Sequence, residues 1–253
     1  MSNQDPIVIV SAKRTAIGTF GGSLSTIKAS DLGADIITAT LNDCGVSAND
    51  VDDVIMGQVL TANTAAIKAQ IPTDKTALTI NQVCGSGLRS VAMGMQAILA
   101  GDSNIIVAGG QENMSLAPHA MLMREGTKMG PASMADTMIV DGLWDVYNDY
   151  HMGITAENIA EKYQITRQDQ DNFAASSQQK AEKAIADGKF KSEIVPITVK
   201  QRKSEFVFEQ DEFPRAGVTA EGLSALRPAF KKDGTVTAAN ASGLNDGAAA
   251  VVL

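Results

Sequence analysis

Asn81-Gln82-Val83-Cys84-Gly85-Ser86-Gly87-Leu88 sets a thiol between two stretches of different periodicity, and the chemistry that spacing suits is nucleophilic attack. Ala77 to Val83 alternates Leu78 and Ile80 with Thr79 and Asn81, the period of a strand with one face in a core. Beyond Cys84 the period lengthens: Leu88, Val91, Ala92, Met95, Ile98 and Leu99 fall on one helical face, and Gly101 stands where a left-handed C-terminal cap is expected. Cys84 is therefore expected at or just before a helix N-terminus, where unpaired N–H groups and the positive end of the helix dipole favour a reactive thiolate. Gly85 and Gly87 leave the backbone open to close approach by a substrate. The same spacing suits a buried structural cysteine beside a tight turn, so the local pattern leaves both readings open.

The other candidate groups are sparse. Cys44 falls at the end of a separate helix, before Gly45, and reads as a small buried hydrophobe. The two cysteines form neither a disulfide framework nor a metal spacing, and with only His119 and His151 as imidazoles no metal site is expected. A net charge of −8 with scattered Lys and Arg gives no nucleic-acid face and no polybasic membrane patch. The apolar runs are too short to span a bilayer, and Met1 to Asp5 lack the charge and apolar stretch of a signal peptide, so a cytoplasmic protein is expected.

The elements that must position Cys84 alternate in type. Ile7 to Val10 reads as a strand buried on both faces; a helix capped by Ser30 or Asp31 carries Leu32, Ile36 and Leu41; Val54 to Leu60 and Ile105 to Ala108 read as further strands, the last closed by Gly109-Gly110. Strand and helix in alternation predict an α/β fold with both sheet faces covered. From about Met114 to Tyr150 the periodicity fades into a long excursion rich in Met and Gly. Two helices follow, one headed by Thr155 and one whose Thr166 and Asp169 form a capping box ahead of Phe173, Ser177, Ala181 and Ile185. Ile194 to Val199 reads as a strand, Asp233-Gly234 as a hairpin turn into Thr235 to Thr237, and Gly247 to Leu253 as a final apolar strand.

Several of these blocks together resemble the thiolases, and within them the acetyl-CoA acetyltransferase branch. Asn81 to Leu88 resembles the segment holding the acyl-accepting cysteine, and Ala108 to Met114 the Ala-Gly-Gly-x-Glu-x-Met segment. His151-Met152-Gly153-Ile154-Thr155-Ala156-Glu157-Asn158 resembles the start of the helical part of the loop domain. Leu226 to Phe230 and Asn240 to Gly247 are similar to two more blocks, so the likeness runs from Ile7 to Leu253. It implies a layered fold with a mixed sheet covered by helices: an N-terminal domain over 1–113, an inserted CoA-binding loop domain over 114–243, and a return strand over 244–253. The implied reaction is the reversible condensation of two acetyl-CoA to acetoacetyl-CoA and CoA through a thioester on Cys84, with CoA thioesters as substrates and no cofactor. The residues implied for the CoA groove are Leu143, His151, Met152, Arg215, Phe230, Ala238 and Ser242. Arg215 suits the nucleotide end of an anionic carrier, or else pairs with Asp211 or Glu212; His151 equally suits packing or capping beside the Thr155 helix.

The resemblance also implies a homo-oligomer, dimer or tetramer. A 3-ketoacyl-CoA thiolase of broader chain length and a silent half-thiolase are its alternatives. Departures are visible: the stretch between Leu60 and Pro72 is shorter than in the family, Gly222 stands where a CoA-contacting Ser is common, and Ala239 replaces a usual Gly. The Asn-Glu-Ala-Phe, Gly-His-Pro and Cys-x-Gly-Gly segments of the family's second half, which by the resemblance supply the activating histidine and a second cysteine, do not occur here. Residues 1–253 by themselves are therefore expected to be catalytically silent.

Overall fold

The computed structural model describes residues 6–60, 65–124, 126–202 and 204–253. In chain order β1 (Ser11–Thr15) and β2 (Gly18–Thr19) precede α1 (Ala29–Cys44), followed by β3 (Asp53–Gly57), β4 (Thr76–Ile80), α2 (Ser86–Ala100) and β5 (Ile106–Asn113). Two short pairs come next: β6 (His119–Ala120) with β7 (Ala135–Asp136), then β8 (Trp144–Asp145) with β9 (Tyr150–His151). After α3 (Met152–Tyr163) and α4 (Arg167–Ala186) come β10 (Ile194–Val195), β11 (Ile197–Lys200), β12 (Glu205–Phe208), α5 (Ala220–Ser224) and β13 (Asn245–Val252).

Two compact units divide the chain. The first comprises the chain up to Leu116 with Glu193–Asp211 and Asn245–Leu253; the second comprises Ala117–Ser192 and Glu212–Leu244. Residues 193–211, assigned by the resemblance to the loop domain over 114–243, make their contacts in the first unit. Arg14 shows why: its guanidinium donates to both carboxylate oxygens of Asp211, at 2.7 and 3.0 Å, and to Glu193 Oε1 at 2.7 Å, so one side chain ties both ends of that segment. Burial works against the Asp211 charge, but Arg14 and the Ile17 N–H outweigh it and hold the carboxyl below its ordinary value.

In the first unit the sheet runs β10-β1-β13-β5-β3-β4, with β2 paired to the start of β13. It is mixed: β3 is parallel to β4 and β5, and β13 is antiparallel to both β1 and β5. The period of two decides which face each side chain serves. Val54, Met56, Val107, Ala248, Ala250 and Val252 join Leu32, Ile36, Ile37 and Leu41 of α1 in one core, while Ile55, Ile106 and Ala108 face the side where Val91 and Ile98 of α2 pack. Each fully buried aliphatic side chain contributes about 1.5–3 kcal/mol.

Several expectations are corrected. Ile7 to Val10 lie outside any strand, with Val8, Ile9 and Val10 half exposed; β1 begins at Ser11, where Ser11 and Thr15 are the buried positions. An apolar run shows that a strand is near without fixing its register. Helix α1 has Lys28 at its N-cap with no side-chain bond, so neither Ser30 nor Asp31 caps it. Strand β5 runs through Gly109-Gly110, because β13 comes so close that a Cβ on Gly109 would lie 2.1 Å from the Ala249 carbonyl oxygen. The Ile194 to Val199 strand is split at Pro196: β10 pairs with β1, and β11 turns away to pair with β12. Asp233-Gly234 makes no hairpin, and Thr237 forms only a single bridge with Pro228.

Candidate active site

Cys84 is exposed, which removes the buried structural reading, and it immediately precedes Gly85, the N-cap of α2. The apolar face of the helix it precedes is only partly covered. Ser86, Ser90 and Gly94 are the buried positions, whereas Leu88 is 79% exposed and Met95 and Leu99 also lie open. Small residues four apart let the helix lie close on the sheet, with Val91 and Ile98 packing against it and Leu88, Met95 and Leu99 left outside the contact. Close approach is strictest at the first turn, where a Cβ on Gly57 would lie 2.5 Å from the Ser86 carbonyl carbon and one on Gly110 would lie 3.3 Å from Gly87 Cα. Ser90 Oγ donates to the Gly109 carbonyl at 2.8 Å, fixing the next turn to the same strand. The αL conformation expected at Gly101 is present.

Among the described residues strand β4, which delivers the chain to Cys84, pairs only with β3. Its Leu78 is 43% exposed rather than buried, since α2 covers β3 and β5 more than this edge. Between β4 and α2 lies a tight turn whose conformation the sequence did not show: Val83 has φ +50°, and Ser86, to which the sequence assigned no role, bonds on both sides of it. Positive φ at a β-branched residue leaves no signal in sequence.

Glu112, in the Ala-Gly-Gly-x-Glu block, accepts from the N–H of Val59 at 2.8 Å and of Leu60 at 3.3 Å. Burial raises its pKa, with those N–H groups pulling the other way. It thus anchors the stretch that leads into the shortened Leu60–Pro72 segment, which lies partly outside the described residues.

All seven residues expected around CoA lie in the second unit. Four gather. Leu143 ends a π-helical turn, Trp144 pairs with His151 across β8 and β9, and the His151 ring stacks on Phe230 with centroids 4.9 Å apart. His151 is also the N-cap of α3, its Nδ1 accepting from the Gly153 N–H at 2.9 Å, so the capping reading holds; Met152 is the first helical residue. Ala238 and Ser242 are exposed on a separate turn braced by Asn240, whose amide donates to Asp171 Oδ1 at 2.9 Å. Arg215 is exposed; its backbone N–H donates to Gln178 Oε1, while Asp211, one partner considered for it, is held by Arg14.

Helix α4 carries the expected Thr166–Asp169 capping box, but its buried residues are Asp171 and Ala175, and Phe173 is 78% exposed. Arg167 Nε donates to the buried Asp171 at 2.7 Å, which offsets the cost of placing a carboxylate there. Glu157 does similar work on α3, accepting from Thr235 N–H, Thr235 Oγ1 and Val236 N–H at 2.8–3.0 Å. Burial opposes its charge, yet these donors win and its pKa is lowered. An open depression of about 320 Å³ beside Glu157, Glu161, Lys231 and Asp233 contains none of the expected site residues. Among the described residues no group of three or more His, Cys, Asp or Glu could hold a metal ion, and no helix is long and apolar enough to cross a membrane.

A mixed sheet with this crossover order, and an exposed cysteine before the helix that crosses it, define a thiolase-like fold. Residues 7–253 match the thiolase N-terminal domain, and the chain belongs to the thiolase family. It is 60% identical to a Cupriavidus necator protein and 59% identical to a Pseudomonas aeruginosa protein, each named acetyl-CoA acetyltransferase, over 98% of this chain and 65% of theirs. The crystal structure of the Bacillus anthracis acetyl-CoA acetyltransferase superposes with a TM-score of 0.93 at 43% identity, covering 97% of this chain and 64% of that one. The chain thus spans just under two thirds of the length of these relatives.

Proposed function

We propose that the protein acts as an acetyl-CoA C-acetyltransferase, condensing two acetyl-CoA reversibly to acetoacetyl-CoA and CoA through an acetyl thioester on Cys84. The observation that carries this reading is the exposed thiol at the head of α2, in a chain so similar to proteins of that name. In the first half-reaction the Cys84 sulfur bonds to the acetyl carbonyl carbon, the carbon–sulfur bond to CoA breaks, and CoA leaves with the proton. One thioester replaces another, so the step is near balance and a hard displacement is divided in two. In the second, a second acetyl-CoA loses a methyl proton, its carbon bonds to the acetyl group, and Cys84 leaves as a thiol carrying a proton. By the family resemblance, the base for that step and the histidine that activates Cys84 belong to segments that do not occur among these residues.

The loop-domain residues supply the handle on CoA. His151, stacked on Phe230 and bordered by Leu143 and Met152, forms a partly apolar surface suited to pantetheine; Ala238 and Ser242 offer exposed backbone and hydroxyl; the exposed Arg215 suits a phosphate. No cofactor is needed, CoA thioesters being the substrates. A cytoplasmic homo-oligomer working in fatty-acid metabolism accords with this reading.

The test is to mix the full-length protein with acetyl-CoA labelled in its acetyl group, quench in acid and map the peptides. The label is expected on the Cys84 peptide, and acetoacetyl-CoA cleavage should fall about a thousandfold or more in Cys84→Ser. Label on Cys44, no label, or full cleavage by Cys84→Ser would overturn the assignment.

A further inference from the structure

We propose that Ser86 is a positioning residue for Cys84, acting by holding Val83 in a left-handed turn that a β-branched residue otherwise leaves; this rests on Cys84 being the nucleophile. At φ +50° the Val83 side chain crowds its own backbone, a conformation adopted without difficulty only by glycine. Something must therefore hold it. The Val83 N–H donates to Asn81 Oδ1 at 2.9 Å, and the Val83 carbonyl accepts from Ser86 Oγ at 2.6 Å and from the Ser86 N–H at 3.1 Å. Ser86 Oγ also accepts from the Gln82 N–H at 2.8 Å. Its hydroxyl thus binds a peptide on each side of Val83, one as acceptor and one as donor.

Ser86 can act as a fixed post because it does not itself have room to move. It is 4% exposed, and its carbonyl carbon lies against Gly57, where even a methyl would collide at 2.5 Å. Cys84, by contrast, is exposed, and its backbone runs directly on from the Val83 peptide. Rotation of Val83 into an ordinary conformation would turn the Val83–Cys84 peptide and redirect the Cys84 Cα–Cβ bond away from the head of α2. Strain held by surrounding bonds is a known means of preorganising a working group. The arrangement therefore makes a distinct claim: Ser86 matters because residue 83 is a valine.

The experiment uses the full-length protein, with Ser86→Ala, Val83→Gly and their combination. It measures alkylation of Cys84 by iodoacetamide, in which the sulfur–carbon bond forms as iodide leaves, with Cys44 as internal control and the thermal midpoint alongside. Ser86→Ala is expected to slow Cys84 about tenfold, the usual penalty of the left-handed state expressed as a population, while Cys44 is unchanged. Val83→Gly should slow Cys84 about twofold in the native background, since glycine leaves the turn more freely, yet speed it at least about threefold in Ser86→Ala, where it keeps the turn accessible. Should Ser86→Ala not fold, Asn81→Ala at an exposed site is to be used, with the same rescue by Val83→Gly expected. A native alkylation rate in the folded single variant, or no rescue by glycine, overturns the proposal. Iodoacetamide needs no CoA, so failure of acetyl-CoA to label Cys84 would overturn the proposed reaction while leaving this rescue readable.

Discussion

Around Cys84 in the first unit, backbone is brought against backbone, whereas in the second unit the turns bearing Thr235 and Asn240 hang on the carboxylates of Glu157 and Asp171. Gly57 and Gly109 have no room for a Cβ, and Gly110 little, because main-chain atoms of a neighbouring element occupy it. The corresponding glycine of the second unit, Gly153, is crowded by the Phe230 ring, which is a side chain and can turn. The difference teaches where each unit can give: the first cannot adjust locally without parting strands, while the second can repack or respond to protons.

The largest expected effect sharpens that contrast. Gly109→Ala would drive a methyl to 2.1 Å from the Ala249 carbonyl oxygen, and only a shift of β13 can relieve it. The loss should be about 3 kcal/mol, at the upper end for overpacking because the obstacle is backbone. Denaturant unfolding of the full-length protein measures it. A cost below about 1 kcal/mol would mean that the strands slide apart easily, and the first unit would lose its claim to rigidity.

Much of this was legible in advance, and the exceptions share a cause. The alternation of strand and helix, the α1 core of Leu32, Ile36 and Leu41, the Gly101 cap and the Thr166–Asp169 box were all readable, because each depends on residues near in sequence. The extent of burial of α2 was not readable, since apolar spacing shows that a stripe exists without showing how much of it meets the sheet; the closest contact was decided by Ser86, Ser90 and Gly94, whose smallness allows close approach. Gly109-Gly110 looked like a strand end because the need for glycine at Gly109 arises from β13, more than a hundred residues later, and at Gly110 from Gly87 and Gly57. Among the site residues, Cys84 could be placed by its neighbours. His151 and Phe230, far apart in sequence, met only in the fold.

A second, smaller effect separates the units by pH. Glu157 has a lowered pKa, so the stability it contributes is fully present above the ordinary carboxylate value of the unfolded chain and is lost as pH falls through its lowered folded value. Glu112 is raised mainly by burial, so the fold binds its proton more tightly than the unfolded chain does, and stability declines as pH rises from the ordinary value through the raised one. Glu157→Gln should cost about 2 kcal/mol at neutral pH by leaving buried N–H groups poorly matched, and should remove that acid-side loss. Glu112→Gln should remove the decline of opposite sign. The chain's single tryptophan, Trp144, lies in the second unit, so its fluorescence follows that unit directly. Equal pH slopes for both variants would erase the distinction.

The smallest effect decides whether the second unit is in fact the adjustable one. A Cβ on Gly153 would lie 2.2 Å from the Phe230 ring, nominally as severe a collision as at Gly109. Phe230 is 36% exposed, however, and its stack with His151 contributes only about 1 kcal/mol, so the ring can swing outward at the cost of that contact. Gly153→Ala should therefore lose about 1 kcal/mol, and in a Phe230→Ala background it should lose nothing further, the whole cost being coupling between the two positions. No side-chain removal offers such relief to Gly109→Ala, whose obstacle is the chain itself. A Gly153→Ala cost that persists without Phe230 would place the obstruction in the backbone of α3, and the second unit would then be built as tightly as the first.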